Sequence, residues 1–401
     1  MTGALVLDVV LIIVLALQAV AGWKRGFVAS VLGVIGLIAG GWIALWGIPT
    51  VLAPSPTSAS ALTRSVVMLF GVALLAILGY GLMSDLGRRI MAERREGALG
   101  RGDSFIGAVV SAVMAAVLLG LAALALYPLA PASWRGLMDD SVVVGALSDH
   151  TPPSVVEFAA RATGELYDAG FPRVFGDPGA EPDLPADSPD GSIADNEAVR
   201  QAAASVVKVN SAMPTCNSAG TGSGWVVAPE RVVTNAHVVA GSERVTIQVR
   251  GLGMRQRAEV VAFDPQLDLA VLAVPGLRAA PLERAGAALA AGDSAVVAGF
   301  PRGGPYRTEA ARVRGRLAAT GTDIYDRQAV QREVYSVYAR VVPGNSGGPL
   351  LTADGRVAGT VFARSATSPD TGFVITDDGA DEILDNARSV SSPVGTGTCA
   401  A

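Results

Sequence analysis

Residues 343–350 read PGNSGGPL, a stretch in which Ser346 lies among three glycines. Glycine lets the backbone turn sharply, so that several N–H groups can point toward one place. A serine at such a turn can act as a nucleophile, and the surrounding N–H groups can stabilise the oxygen that becomes negatively charged. We predict this oxyanion hole over Gly344, Asn345 and Ser346, with Gly344 and Ser346 as its donors. An ordinary glycine turn has the same composition, so this stretch alone does not indicate catalysis. A catalytic serine also needs partners elsewhere in the chain.

The partners of a nucleophilic serine are a base that takes its proton and a carboxylate that orients the base. The chain has two histidines, and one of them, His237, lies in the stretch TNAHVV directly after a predicted strand. Further along, the stretch FDPQLDLAVLAV offers two acids, Asp264 and Asp268. The order histidine, aspartate, serine is that of the chymotrypsin barrel and differs from the orders in subtilisin and the α/β-hydrolases.

The region around these motifs has the pattern of an all-β domain. After Ala194, short apolar runs such as GWVVA, RVTIQVR, AEVVAFD and TGFVIT alternate with turn residues. Many short strands with regular turns favour a sandwich or a barrel. Early acidic residues and a late arginine predict a final helix over 378–388. The GTGSG stretch at 220–224 leads into a strand instead of opening a helix, which favours a flexible approach to the first barrel over a phosphate-binding loop.

TNAHVV, DLAVL and GNSGGPL together resemble the motifs of the trypsin/HtrA superfamily of serine proteases. The resemblance implies an all-β fold of two six-stranded barrels, chymotrypsin-like, with the active site in the cleft between them. It implies His237, Asp268 and Ser346 as the catalytic triad, and it leaves Asp264 as a turn residue. It implies no cofactor and no metal.

The same resemblance implies where a peptide substrate binds. The backbone of Phe362, Ala363 and Arg364 is expected to pair with the substrate. Arg340, six residues before Ser346, occupies the position that sets the base of the specificity pocket in trypsin-like enzymes. There it either favours acidic side chains or points to solvent.

The first third of the chain has the composition of a membrane domain. Half of the 401 residues are hydrophobic and only 17% are charged, whereas soluble domains carry about a quarter. Stretches of about 20 apolar residues can cross a bilayer as helices. Four stretches approach that length: Leu5–Trp23, Val28–Trp46, Ser65–Met83 and Ser104–Leu126. We therefore predict a four-helix transmembrane domain over residues 1–130, with buried helices of a large soluble core as the alternative.

Basic residues in the loops predict the orientation of these helices. Lys24 and Arg25 lie in the first loop, and five arginines lie in or beside the third. Cytoplasmic loops collect Lys and Arg, so both loops are expected to face the cytoplasm. The chain after Pro128 is then outside the cytoplasm.

The membrane half carries a resemblance of its own. Asp8 and the turn GWKRGF at 22–27 resemble the colicin V production protein family. With the tail PVGTGTC at 393–399, the whole chain resembles actinobacterial membrane-anchored periplasmic serine proteases linked to acid resistance. That resemblance implies a role in envelope stress, protein or peptide substrates in the cell envelope, and contact with the lipid bilayer. The alternative drawn from the membrane half is a non-enzymatic secretion or transport factor with a protease-like binding domain.

Residues 131–195 connect this domain to the protease domain expected over 196–401. The stretch at 154–170 has helical spacing, and the Pro-, Gly- and Asp-rich stretch Gly176–Ser192 predicts an unstructured tether that is open to self-cleavage.

The predicted topology places both cysteines, Cys216 and Cys399, outside the cytoplasm, where we expect them to form a disulfide. The cysteines and histidines lack the close pairs of a zinc site. A net charge of −5 gives no indication of nucleic-acid binding.

Overall fold

The four apolar stretches are helical in the computed structural model, which describes residues 2–52, 61–91, 98–126, 132–149, 174–175, 181–182, 184–216 and 218–400. The helices are α1 (Thr2–Arg25), α2 (Phe27–Leu52), α3 (Ala61–Met91) and α4 (Ala98–Leu126). Among the described residues, three segments are long and apolar enough to cross a membrane: Gly3–Arg25, Phe27–Ala44 and Arg101–Ala123. The prediction of N-terminal apolar helices is confirmed. The helix predicted over 154–170 lies outside the described residues.

The chain separates into one compact unit that holds Ala4–Gly120 and another that holds Leu121–Ala401. In the first unit, the GWKRGF turn reverses the chain between α1 and α2. Gly26 has a φ of +85° there, a conformation that glycine adopts without steric cost. The Asp103 carboxylate from α4 accepts hydrogen bonds from Phe27 N at 3.1 Å and Val28 N at 3.4 Å. It thereby satisfies two N–H groups at the start of α2 that have no partner within the helix.

The second unit contains two closed antiparallel barrels, so the predicted fold class is confirmed. The first barrel consists of β1 (Val206–Met213), β2 (Ser218–Ala228), β3 (Arg231–Thr234), β4 (Arg244–Val249), β5 (Gln256–Asp264) and β6 (Leu269–Ala273), in the order β1-β2-β3-β6-β5-β4. The second consists of β7 (Ser294–Gly299), β8 (Arg307–Thr322), β9 (Ala329–Tyr338), β10 (Pro349–Leu351), β11 (Val357–Arg364) and β12 (Thr371–Thr376), in the order β10-β11-β12-β9-β8-β7.

Short helices surround the barrels. They are α5 (Ala132–Asp139), α6 (Val142–Asp149), α7 (Glu197–Ala202), α8 (Ala236–Val239) and α9 (Asp381–Asn386). The helix predicted over 378–388 is a 3-10 turn followed by α9. The longest described strand, β8, has no clear strand pattern in the sequence, because its small apolar residues alternate with arginine, threonine and glutamate.

The apolar core continues from one barrel to the other. Trp225 of β2, Phe300 after β7 and Phe362 of β11 are fully buried and belong to one cluster. Trp225 Nε1 also donates a hydrogen bond to Thr360 Oγ1 at 3.1 Å. Because this contact joins β2 of the first barrel to β11 of the second, the cleft between the barrels rests on a shared core.

The described parts of the linker are held on the second barrel. Within the predicted tether, Leu184 O and Ser188 O accept hydrogen bonds from arginines of β8, so the prediction of an unstructured tether is wrong for its described residues. Val174 and Phe175 are 4% and 8% exposed, and the Phe175 ring meets the Phe373 ring edge-on with centroids 5.4 Å apart. Ile193 is also buried, and the Leu184 carbonyl accepts a hydrogen bond from Arg314. A few apolar anchors and polar contacts from the barrel therefore compensate for the low apolar content of this stretch.

The structure joins Cys216 to Cys399, with Cα atoms 5.8 Å apart and a sequence separation of 183. The tail before Cys399 follows the first barrel, where Val394 N donates to Val260 O at 2.8 Å and Gly241 N donates to Thr396 O at 3.0 Å. Gly241 lies just beyond α8, so the disulfide and the tail fix the chain beside His237.

Replacing Phe175 by Ala should destabilise the protease unit, because it removes a buried ring from the barrel surface. Substitutions of this kind cost about 3 kcal/mol, which corresponds to a fall of roughly 5–10 °C in Tm. Thermal unfolding of the purified protein, followed by tryptophan fluorescence, measures the effect. Leu252→Ala is the matched control, since Leu252 is 56% exposed. Equal Tm values for the two variants would contradict the packed linker.

Candidate active site

His237 and Asp268 are in direct contact in the first barrel. His237 lies in α8, directly after β3, and Asp268 directly precedes β6; their side chains are 11% and 0% exposed. The Asp268 carboxylate accepts a hydrogen bond from His237 N at 2.8 Å and another from ring Nδ1 at 2.7 Å. Holding Nδ1 in this way fixes the orientation of the imidazole and leaves Nε2 as the atom that can exchange a proton.

The turn that carries Asp268 is tightly constrained. Asp268 has a φ of +60°, a left-handed conformation that residues other than glycine seldom adopt. Asp264 stabilises the turn, because its Oδ1 accepts hydrogen bonds from Gln266 N and Leu267 N, both at 2.8 Å. Asn235 Nδ2 donates to the Asp268 carbonyl at 2.8 Å. Asp264 thus acts as a turn residue, and the carboxylate that is hydrogen-bonded to the imidazole ring is that of Asp268.

The glycines around Ser346 hold the loop in a conformation that a side chain would prevent. Gly344 has a φ of +94°, and a Cβ there would lie 2.4 Å from Phe300 O. Among the described residues, the N–H groups of Gly344 and Ser346 donate to no protein acceptor, so both remain available to an oxyanion. Asn345 N instead donates to Val342 O at 3.0 Å. The N–H group of Asn345 is therefore already used, and the two donors predicted for the oxyanion hole, Gly344 and Ser346, stay a prediction.

The loop of Ser346 and the helix of His237 lie against the same strand. A Cβ at Gly222 of β2 would lie 2.8 Å from the Val238 side chain and 3.0 Å from Ser346 O, and Ser346 is 3% exposed. No hydrogen bond joins Ser346 Oγ to the His237 ring in the described part of the chain. Such bonds are often long in structures without substrate and shorten when the substrate binds.

Ser223 connects the first barrel to residues 343–348, named the nucleophile loop after the predicted role of Ser346. No motif in the sequence indicates this contact. The side chain is fully buried, and its hydroxyl donates to Gly344 O at 2.7 Å while accepting from Phe300 N at 2.9 Å. Ser223 N donates to Ser346 O at 2.7 Å. The GTGSG stretch therefore belongs to β2, and the prediction of a flexible approach is wrong. Because its glycines have no side chains, the nucleophile loop can pack closely against β2. This contact forms only when the two barrels come together.

Arg332 of β9 is a second residue that sequence reasoning missed. It is 2% exposed, its Nε donates to Gln266 O at 2.6 Å, and its guanidinium carbon lies 5.8 Å from the centroid of the Phe362 ring. Burial lowers the pKa of Arg332, whereas the charges of Asp268, Asp264 and Asp323 act in the opposite direction. One buried cation thus touches both the turn before Asp268 and the strand predicted to bind substrate.

Lys208 of β1 supports the nucleophile loop from another side. Its Nζ donates to Gly303 O, and burial lowers the pKa of this amine to about 8. Gly303 lies in the 301–303 turn, whose Arg302 N donates to Pro343 O at 2.6 Å. The turn thereby holds the residue before Gly344.

The residues predicted to bind substrate lie at the end of β11. Phe362 and Ala363 are fully buried, and Arg364 is partly exposed. The pairing of β11 with β12 shifts register between Val361 and Ala363, so Phe362 sits at the irregularity. Arg340 is exposed, which favours the solvent-facing alternative over a role at the base of a pocket.

The arrangement supplies the groups that acyl transfer requires: a serine hydroxyl, an oriented imidazole and two unused N–H groups. Among the residues that the structure describes, no group of three or more His, Cys, Asp and Glu side chains is placed to hold a metal ion.

Known proteins match both halves of the chain. The trypsin-like peptidase domain family matches residues 222–359, and the colicin V production protein family matches residues 7–152. The serine protease Rv3671c of Mycobacterium tuberculosis is 34% identical over 409 residues, which cover 100% of both chains. The serine protease Do-like HtrA of Lactococcus lactis is 30% identical over 145 residues, which cover 35% of each.

A solved structure agrees with the barrels. The crystal structure of the Rv3671c protease in its active form superposes with a TM-score of 0.53 at 40% identity, over 55% of this chain and 96% of that chain. This chain therefore belongs to the family of serine proteases that join a colicin V production domain to a trypsin-like peptidase domain.

Proposed function

We propose that this serine protease is a membrane-anchored endopeptidase that cleaves proteins outside the cytoplasm with the triad His237, Asp268 and Ser346. The observation that carries the proposal is the double hydrogen bond from His237 to the buried Asp268 carboxylate, with the Ser346 loop packed against the same strand. In the proposed mechanism His237 Nε2 takes the proton of Ser346 Oγ, which attacks the scissile carbonyl. The N–H groups of Gly344 and Ser346 stabilise the oxyanion, and His237 then protonates the leaving amine.

The next part of the proposal is the membrane anchor. Residues 1–130 are the transmembrane domain, 131–195 the linker and 196–401 the protease domain. The exposure of the apolar helices supports this division, since only 6%, 33% and 17% of the apolar windows of α1, α2 and α4 are buried. Surfaces of this composition are covered by lipid in membrane proteins. Phe362, Ala363 and Arg364 receive the substrate in this account.

The protease domain faces the periplasm in this proposal. The loop arginines support that orientation, and so does the Cys216–Cys399 disulfide, because disulfides persist in oxidising compartments. We place the activity in envelope stress and acid resistance, on the resemblance of the whole chain to periplasmic proteases with that role. The alternative is a non-enzymatic secretion or transport factor, and it predicts that the function of the protein does not require the Ser346 hydroxyl.

Replacing Ser346 by Ala should abolish peptide hydrolysis and labelling by a serine-directed phosphonate, because the variant has no nucleophile. The loss should be on the order of 10⁴-fold or more in rate. Both are measured on the purified full-length protein, with the adduct located by mass spectrometry. Labelling that persists in Ser346→Ala would overturn the assignment, and a wild-type protein without either activity would favour the non-enzymatic alternative.

Replacing Asp268 by Asn should reduce kcat about 10⁴-fold, because an amide cannot hold the imidazole in the same tautomer. Asp264→Asn is the matched control. It removes one charge from the same turn, yet Asn can still accept the bonds from Gln266 N and Leu267 N. We expect the control to keep kcat within about threefold. Steady-state kinetics on one peptide substrate compares the two variants. An equal fall in kcat in both would refute separate roles for Asp268 and Asp264.

Self-cleavage of the linker is a further expected property, since it links a protease to its membrane anchor. The sequence predicts the cut between about Pro153 and Asn196. Within that range we expect it outside the residues that are held on the second barrel, which are Val174, Phe175 and the stretch after Glu181. N-terminal sequencing of the released fragment would locate it. Equal persistence of the intact wild-type and Ser346→Ala chains over several days would rule self-cleavage out.

A further inference from the structure

One stretch of the linker contacts the loop at the edge of the predicted substrate site. This loop, residues 365–370, connects β11 to β12 and will be called the β11–β12 loop. The Glu181 carboxylate lies over its first half. It accepts hydrogen bonds from Ser365 Oγ, from Ala366 N at 3.0 Å and from Thr367 Oγ1 at 2.9 Å. One side chain of the linker thus satisfies three donors of the loop.

The β11–β12 loop is organised around the Ser365 hydroxyl. Ser365 is 6% exposed, and its Oγ accepts hydrogen bonds from Thr367 N at 3.0 Å and Ser368 N at 2.8 Å. The same hydroxyl donates a hydrogen bond to the Glu181 carboxylate. Without the carboxylate, the buried Ser365 hydroxyl loses its charged acceptor, which is costly, and the exposed Ala366 N–H loses its protein acceptor. Glu181 therefore stabilises this particular loop conformation.

Both ends of the loop lead to the substrate site. Its first residue follows Arg364, the end of the strand predicted to pair with a peptide. Near its other end, the Asp370 carbonyl accepts a hydrogen bond from Ala339 N at 3.1 Å, directly before Arg340. A change in the loop would consequently reach both the β11 edge and the segment that leads to the nucleophile loop.

The linker is held in place independently of Glu181. Arg314 donates to Leu184 O, and Arg312 donates to Ser188 O at 3.4 Å. The Arg314 guanidinium is itself stacked on Tyr338, with its carbon 4.7 Å from the ring centroid. Because β8 already fixes residues 184–188, Glu181 is presented to the loop without a large further loss of conformational freedom.

We infer that the linker forms part of the substrate site, with Glu181 as a positioning residue for peptide binding. The carboxylate holds the β11–β12 loop so that the edge of β11 can pair with an extended protein substrate. The inference rests on the proposed endopeptidase function. It gives the linker a role in substrate affinity in addition to connecting the two domains.

The test compares full-length Glu181→Ala with wild type on two substrates. One is an extended peptide that occupies several subsites before the scissile bond, and the other is a single-residue ester that occupies only the adjacent pocket. We expect Glu181→Ala to raise KM for the extended peptide about tenfold, as for the loss of charge-assisted hydrogen bonds. We expect kcat for this peptide, and kcat/KM for the ester, to stay within about threefold of wild type.

Asp187→Asn is the matched control. Asp187 is an exposed acid of the same docked stretch and makes no hydrogen bond or ion pair among the described residues. It should leave both substrates unaffected. If Glu181→Ala does not fold, Glu181→Gln retains the shape and one acceptor oxygen, and should raise KM for the extended peptide about threefold.

Two results would overturn the inference. One is a KM for the extended peptide that does not differ between the Glu181 variants and wild type. The other is an equal fall in kcat/KM for the peptide and for the ester. Phosphonate labelling separates these results from a failure of the proposed function. If wild type labels at Ser346 and the Glu181 variants bind the peptide normally, the inference alone is wrong. If wild type neither labels nor hydrolyses, the proposed function fails and the inference falls with it.

Discussion

The buried hydrogen bonds between Asp268 and His237 are the interaction on which the rest of the active site depends. A carboxylate with no exposed surface needs partners, and His237 supplies two of them through its backbone and its ring. The left-handed backbone of Asp268 is kept in place by the Asp264 turn and by Asn235. The first barrel can therefore be understood as a scaffold that holds one imidazole in one orientation.

The second barrel supplies the loop of Ser346, so catalysis by the proposed triad depends on how the two barrels meet. Ser223 joins β2 to Gly344 and to the chain after β7. Arg332 reaches in the opposite direction, from β9 to the turn before Asp268. Because both side chains are buried between the barrels, the geometry of the cleft follows from the shared core and its few polar contacts. The linker adds Glu181 to this assembly from outside the barrels.

The sequence is most informative where chemistry requires a particular residue in a particular local setting. His237, Asp268 and Ser346 stand in short motifs, and the apolar helices are recognisable by the length of their apolar stretches. Arg332 and Glu181 stand in no motif, and the GTGSG stretch does not reveal the role of Ser223, because all three roles come from contacts between residues that are far apart in the chain. The prediction of an unstructured tether over 176–192 was wrong for its described residues, because Glu181, Leu184 and Ser188 are held by polar contacts from the second barrel that leave no mark on the composition of the stretch.

The central claim is that Ser346 cleaves proteins outside the cytoplasm. The most direct measurement is N-terminal proteomics of the extracytoplasmic fraction of cells that express either the wild-type chain or Ser346→Ala at equal levels. If Ser346 is the nucleophile, a set of new N-termini in envelope proteins should occur only with the wild-type chain. Identical N-termini in the two fractions, or wild-type-specific cuts confined to cytoplasmic proteins, would contradict it.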